Sequence, residues 1–193
     1  IFSDFDGTIV PDRMDNGFAA TLTAGAATLV PYTGLLNGGG NELIALRGTT
    51  STKLLWPINS IPAIMTICSV SRYTGVRFGR IFNGLSSPTQ SGSNLLHGHQ
   101  DSRRGVVHQN AWKTLQTSVG VLTDWLVICG TSGGSHPDNI IIDQLGVGIS
   151  SSVTNTVGQL NVNYLTSFLS NFEVHSVYIW NAILSPTQMR HTT

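Results

Sequence analysis

The densest run of side chains able to do chemistry is Asn94-Leu95-Leu96-His97-Gly98-His99-Gln100-Asp101-Ser102-Arg103-Arg104-Gly105-Val106-Val107-His108. On an extended strand His97 and His99 share one face. A hairpin turned at 101–104 would return His108 beside them. Three imidazoles suit zinc or copper, although no fourth ligand is evident. Arg103 and Arg104 suit a bidentate grip on a carboxylate or on a sulfated or uronic sugar. The same stretch also reads as a hairpin with structural hydrogen bonds, or as an intersubunit contact. His97, His99, Arg103, Arg104, His108 and the nearby Trp112 are thus the ligand or interface candidates.

The carboxylates form a second constellation. Asp4, Asp6, Asp12 and Asp15 bring four of the ten acidic residues into the first fifteen positions. Alternation puts Asp4 and Asp6 on one face, before Gly7 turns the chain. Oxygen ligands so grouped suit a hard cation such as calcium. The plainer alternative is a solvated acidic edge. His136, Asp138, Asn139 and Asp143 have ligand-type spacing further on. The metal candidates are therefore Asp4, Asp6, Asp138 and Asp143.

The letters DFDGT at 4–8 resemble the first motif of haloacid-dehalogenase-type phosphatases. In that family the first Asp is the nucleophile and the second the general acid, which the resemblance would place on Asp4 and Asp6. Such a phosphatase is α/β, with amphipathic helices, a Lys and a late acidic pair that holds magnesium. Helical periodicity is scarce here, and Lys53 and Lys113 are the only lysines. We therefore read DFDGT as the polar lead-in of a β protein. No Gly-rich loop precedes a helix, since the glycines at 38–40 lie between loop and strand. No catalytic residue is assigned, and an enzyme is not expected.

Composition narrows the class. The chain has 193 residues, enough for one domain with a full core. Charged residues are 10%, far below the roughly 25% of a typical soluble domain. Ten basic and ten acidic residues leave no net charge and no basic stripe for a phosphate backbone, which argues against nucleic acid. No apolar run reaches the roughly 20 residues of a membrane span. So few charges suggest a surface covered by neighbouring subunits or by sugar. No Asn-x-Ser/Thr sequon occurs, so a glycan would be O-linked. The start at Ile1 suggests a mature product, an excised domain or part of a longer chain.

Short runs of three to eleven residues bounded by Gly, Pro, Asn or Ser predict strands. They fall at 18–22, 27–30, 42–45, 52–55, 63–73, 79–82, 94–97, 105–109, 111–114, 124–129, 139–142, 147–149, 159–162 and 172–182. Turn clusters at 37–40, 86–88, 132–135 and 150–152 separate them. Ser185 is a good N-cap and Pro186 a good first residue for one short C-terminal helix. Many short strands imply an all-β protein, an antiparallel β-sandwich or barrel. Cys68 and Cys129 both lie in strand-like segments. They are either two buried thiols or a disulfide, the latter fitting an oxidising extracellular setting.

The closing stretch runs from Ser170 through Trp180-Asn181 into Ala182-Ile183-Leu184-Ser185-Pro186. It resembles the last strand and short helix of laminin-G-like, concanavalin-type jelly rolls, with the match on Trp180, Asn181, Leu184 and Ser185. Ile64–Val70 is similar to an early core strand of that superfamily, and Asp124–Gly130 to its Trp-led strand. The resemblance implies a jelly-roll β-sandwich with a short C-terminal helix, one lectin-like domain over 1–193 with 1–50 as an extended lead-in. The superfamily's glucanases carry clustered carboxylates on one strand, whereas Glu42 and Glu173 are far apart. The leading expectation is a non-enzymatic extracellular or cell-surface structural or adhesion module. It would self-assemble as a homo-oligomer, filament or coat, or meet other extracellular proteins, with Tyr32, Trp56, Phe82 and Trp112 as contact anchors. The alternative is a carbohydrate-binding lectin, with glycans as partners.

Overall fold

β-Branched and aromatic residues alternating with polar ones favour half-buried strands, and such strands build this protein. A computed structural model describes residues 5–12, 17–33, 42–85, 95–133, 137–149 and 158–192. The strands are β1 (Ile9–Val10), β2 (Ala20–Ala24), β3 (Ala27–Tyr32), β4 (Leu43–Gly48), β5 (Lys53–Leu55), β6 (Thr66–Phe78) and β7 (Phe82–Leu85). They continue as β8 (Leu95–Gln100), β9 (Arg103–Gln109), β10 (Leu126–Thr131), β11 (Ile140–Ile142), β12 (Leu145–Gly146), β13 (Gln159–Val162) and β14 (Ser170–Trp180). One helix, α1 (Pro186–Thr192), closes the chain.

Among the described residues the strands form two seven-stranded antiparallel sheets. The first runs β1-β2-β5-β13-β7-β8-β9 and the second β12-β11-β10-β6-β14-β4-β3. Residues 9–48, read from sequence as a lead-in, supply two strands to each sheet. The expected all-β sandwich with a C-terminal helix is what the chain forms.

Alternation sorts each strand into a core face and an outer face. Leu54, Phe82, Leu160 and Val162 of the first sheet meet Leu46, Ile67, Tyr73, Phe172 and Val174 of the second in one buried cluster. Val107, Leu126, Ile128, Ile140 and Ile142 form a second cluster. Trp56 and Phe82, expected as surface anchors, are instead buried in the core. Strand placement also departs from expectation in places. Residues 111–114 turn back onto β9 through the His108–Trp112 bridge, and 147–149 form no strand. The turns expected at 37–40, 86–88 and 150–152 lie outside the described residues.

The outer face of the second sheet is partly roofed. Cys68 and Cys129 sit directly opposite each other on β6 and β10 and form a disulfide. Met189 of α1 covers it, with Ile141 beneath and Trp180 and Leu184 at the side. The helix is held by a reciprocal cap. The Gln188 N–H donates to Ser185 Oγ at 3.3 Å, and the Ser185 N–H donates to Gln188 Oε1 at 2.8 Å. Pro186 suits the first turn because it has no N–H to leave unpaired.

The disulfide closes a long loop, with a sequence separation of 61. A loop of that length constrains the unfolded chain by about 2–4 kcal/mol. Changing both cysteines to Ala is therefore expected to lower the unfolding free energy by that amount and the urea midpoint with it, and reductant is expected to mimic the change in the parent protein only. An unchanged midpoint would refute this role.

Candidate functional site

The outer face of the second sheet carries a charged row that alternation alone builds. Arg47 of β4 pairs in register with Glu173 of β14, and Glu173 with Arg72 of β6. Their neighbours Leu46, Val174 and Ser71 point the other way, the first two into the core. Tyr32, at the end of β3, and Trp125, just before β10, complete the row.

The Glu173 side chain has no exposed surface. Arg47 Nε donates to its Oε1 at 2.6 Å and Arg72 Nε to its Oε2 at 2.7 Å. The Tyr32 hydroxyl donates to Oε1 at 2.7 Å and accepts from the NH2 groups of Arg72 and Arg47 at 2.7 and 3.0 Å. That hydroxyl thus uses its one proton and both lone pairs. The bond to Glu173 raises the pKa of Arg47, so the cation is secure. The Arg72 guanidinium also lies over two rings, 4.9 Å from the Tyr32 centroid and 4.6 Å from that of Trp125. The two rings meet edge to face at 6.0 Å. Arg47 remains half exposed, Arg72 is one-fifth exposed, and both rings are half buried. The result is a hydrogen-bonded guanidinium packed on two half-buried aromatic rings.

The histidine stretch folds otherwise. It makes the expected hairpin, turned on Asp101 and Ser102, both with positive φ as a two-residue turn of this hand requires. His97 and His99 do share a face, but it points into the sandwich. His108 pairs with Leu96, and His97 with Val107, so His108 lies on the opposite face. The three imidazoles therefore do not converge on one ion. His97 and His99 are fully buried, and neither ring nitrogen of His99 has a hydrogen-bond partner. His99 packs edge to face on Tyr73 at 4.6 Å. Burial lowers His97 to a pKa of about 4 and His99 to about 3, the latter helped by the nearby Arg104 charge. His108 packs edge to face on Trp112 at 5.2 Å.

Arg103 and Arg104 separate too. Arg104 is buried and donates to the carbonyls of Val119, Asp124 and Trp125 and to Asp143. It fastens the loop before β10 and is closed to a ligand. Arg103 reaches the Gln100 carbonyl, and its guanidinium lies 5.8 Å from the Trp112 ring centroid.

The metal candidates are likewise dispersed. Asp4 and His136 lie outside the described residues. Asp6 Oδ1 accepts the N–H groups of Thr8 and Ile9 in a turn, which lowers its pKa. Asp138 pairs with Arg190 at 3.0 Å, tying α1 to the loop before β11, and Asp143 pairs with Arg104 at 3.2 Å. Among the described residues no three His, Cys, Asp or Glu side chains gather as a metal site.

Sequence reasoning did not assign Arg47, Arg72, Trp125 or Glu173 to a site, and it took Tyr32 as a contact anchor. The available signal was a lone charged residue flanked by apolar ones in the closing strand, Phe172-Glu173-Val174.

No protein family and no curated protein matches the sequence. Solved structures match the fold. The chain is similar to Trypanosoma rangeli sialidase in complex with sialic acid, with a TM-score of 0.56 at 15% identity. A mutant of that sialidase displaying trans-sialidase activity gives 0.57 at 14%, and another T. rangeli sialidase structure 0.55 at 12%. In each case 96% of this chain is covered but only 30% of the sialidase chain. At such identity the likeness is one of fold. It nonetheless corrects the expectation of a self-assembling structural or adhesion module. The architecture is shared with part of the sialidase chain, which accords better with the carbohydrate alternative.

Two outcomes follow from these buried groups. Glu173→Gln is expected to cost about 1–3 kcal/mol in chemical unfolding, because two partly exposed guanidiniums lose a buried hydrogen-bonded counter-charge. A loss below about 1 kcal/mol would show that water replaces the carboxylate easily. His97 and His99 are neutral in the folded state but titrate near 6.5 when unfolded, so the unfolded chain binds more protons below that pH. Stability is expected to fall by about 1.4 kcal/mol per pH unit for each ring as pH drops from 6.5 towards the folded values. Urea titrations between pH 7 and 4.5 measure this slope, and His97→Leu with His99→Leu should flatten it.

Proposed function

We propose that this chain is a carbohydrate-binding, lectin-like domain whose sugar site is the outer face around Arg72. The observation that carries the reading is the guanidinium of Arg72, hydrogen-bonded to a buried carboxylate and packed on the half-buried rings of Tyr32 and Trp125. Sugars present apolar C–H faces and directional hydroxyls. Recognition needs an aromatic surface beside polar groups held in place. Donors already ordered in the free protein cost little further entropy on binding.

Charge refines the ligand class. Two guanidiniums and one carboxylate leave a net positive cluster, which favours a sugar bearing a carboxylate or sulfate. The fold likeness to a sialidase in complex with sialic acid, an acidic sugar, supports this reading. Glu173 is engaged by two guanidiniums and a hydroxyl, so it is poorly placed to move a proton. That argues for binding without hydrolysis. The closing strand and helix fit the laminin-G-like, concanavalin-type jelly rolls. The buried disulfide supports an extracellular or cell-surface setting.

An array of sialylated, sulfated and neutral glycans tests the proposal. Retention of acidic glycans over their neutral isosteres is expected, with Trp125→Ala weakening the best binder by about tenfold or more. No retention of any glycan by the folded protein would overturn it.

A further inference from the structure

β14 does not alternate evenly along its length. Glu173 faces outward opposite Arg72, and Tyr178 lies five residues later. Strict alternation would turn Tyr178 into the core. The register with β6 shifts between Val174 and Ser176, so that Ser176 pairs with Val70 and Tyr178 with Cys68. Five residues of β14 thus span four of β6. This bulge at His175 switches the face. The His175 ring fixes it by donating from Nδ1 to the Ile44 carbonyl at 2.9 Å. Val177 and Ile179 then pack on the core, while Tyr178 and Trp180 join Glu173 on the outer face.

The two rings make a second platform. Their planes are inclined by 31°, with centroids 5.9 Å apart. Trp180 rests on the cluster of Cys68, Cys129 and Met189, so it is backed by the disulfide and α1. Tyr178 lies above, 37% exposed. Between the platforms run the half-buried Val70 and Val127, paired across β6 and β10. Cys68 and Arg72 are four residues apart on β6, so the platforms are separated by about 13 Å.

We infer that the outer face of the second sheet reads a linear acidic oligosaccharide at two points, with its charged sugar at Arg72 and a later ring stacked on Tyr178. This rests on the carbohydrate reading above and adds a ligand length to it. About three to four linked rings are needed to cross the gap, which a mono- or disaccharide does not reach. A sugar chain fits both ends: it offers charge to the net positive cluster and C–H faces to the apolar floor and the aromatic pair. The bulge supplies the design, because without it the aromatic pair would not share a face with the guanidiniums.

Calorimetric titration with α2,8-linked sialic acid and chondroitin sulfate oligosaccharides of two, four and six sugars tests the inference. In at least one series affinity is expected to rise about tenfold between two and four sugars and then level off. Tyr178→Ala should remove that rise while leaving the disaccharide affinity unchanged, and Tyr178→Phe should keep it. Binding that is independent of length, or a Tyr178→Ala loss equal at every length, overturns the second platform but leaves the Arg72 site standing. No binding at any length in either series counts against the acidic-sugar reading itself, and the second platform falls with it.

Discussion

A carboxylate removed from water must be surrounded by compensating charge and hydrogen bonds. Glu173 is such a group, and the outer face of the second sheet is arranged around it. Its two cations come from the strands on either side, and its hydroxyl partner comes from the next strand out. These contacts hold only if β3, β4, β14 and β6 keep one register. A one-residue slip would move Glu173 into the core and Val174 out of it. Buried ion pairs are poor stabilising devices compared with packed apolar side chains. What this one supplies is orientation. The Arg72 guanidinium is held by Glu173 and Tyr32 and packs on two rings, while its side chain stays one-fifth exposed.

The other buried polar groups show the contrast. Arg104 is as immobile as Arg72, but its donors end on backbone carbonyls and on Asp143. It fastens the loop from which Trp125 emerges, and so supports the site without facing a ligand. His97 and His99 lie inside the sandwich, where burial keeps them neutral. They make the fold sensitive to acid and leave the outer face untouched. His97 and His99 therefore belong to the core, and the proposed recognition site is built from residues that look ordinary one by one.

Much of the fold was legible locally. Alternation and bounding turn residues placed most strands, and Ser185-Pro186 placed the helix with its cap. A turn was legible over Asp101–Arg104, and the structure confines it to Asp101 and Ser102. What failed depended on long-range register. His108 was placed beside His97, yet the actual pairing joins it to Leu96 and turns it to the other face. Arg47 and Glu173 lie 126 residues apart, and no spacing rule joins them. The bulge at His175 has no sequence marker, since neither Gly nor Pro is present there, and it alone decides where Tyr178 points. Cys68 and Cys129 could be set on strands, but only the β6–β10 register makes them opposite. The DFDGT motif shows the converse: Asp6 closes a local turn, and the shared letters do not bring a phosphatase fold with them.

The central claim is that sugar binds the outer face of the second sheet, and the four tryptophans report on it directly. Trp125 and Trp180 flank the proposed site, whereas Trp56 lies in the core and Trp112 packs on His108. Each indole N–H gives one resolvable signal in a nitrogen–proton correlation spectrum. During titration with an acidic hexasaccharide retained on the array, the Trp125 and Trp180 signals are expected to shift while those of Trp56 and Trp112 stay fixed. A shift confined to Trp112, or binding at saturation with Trp125 unmoved, would contradict the account.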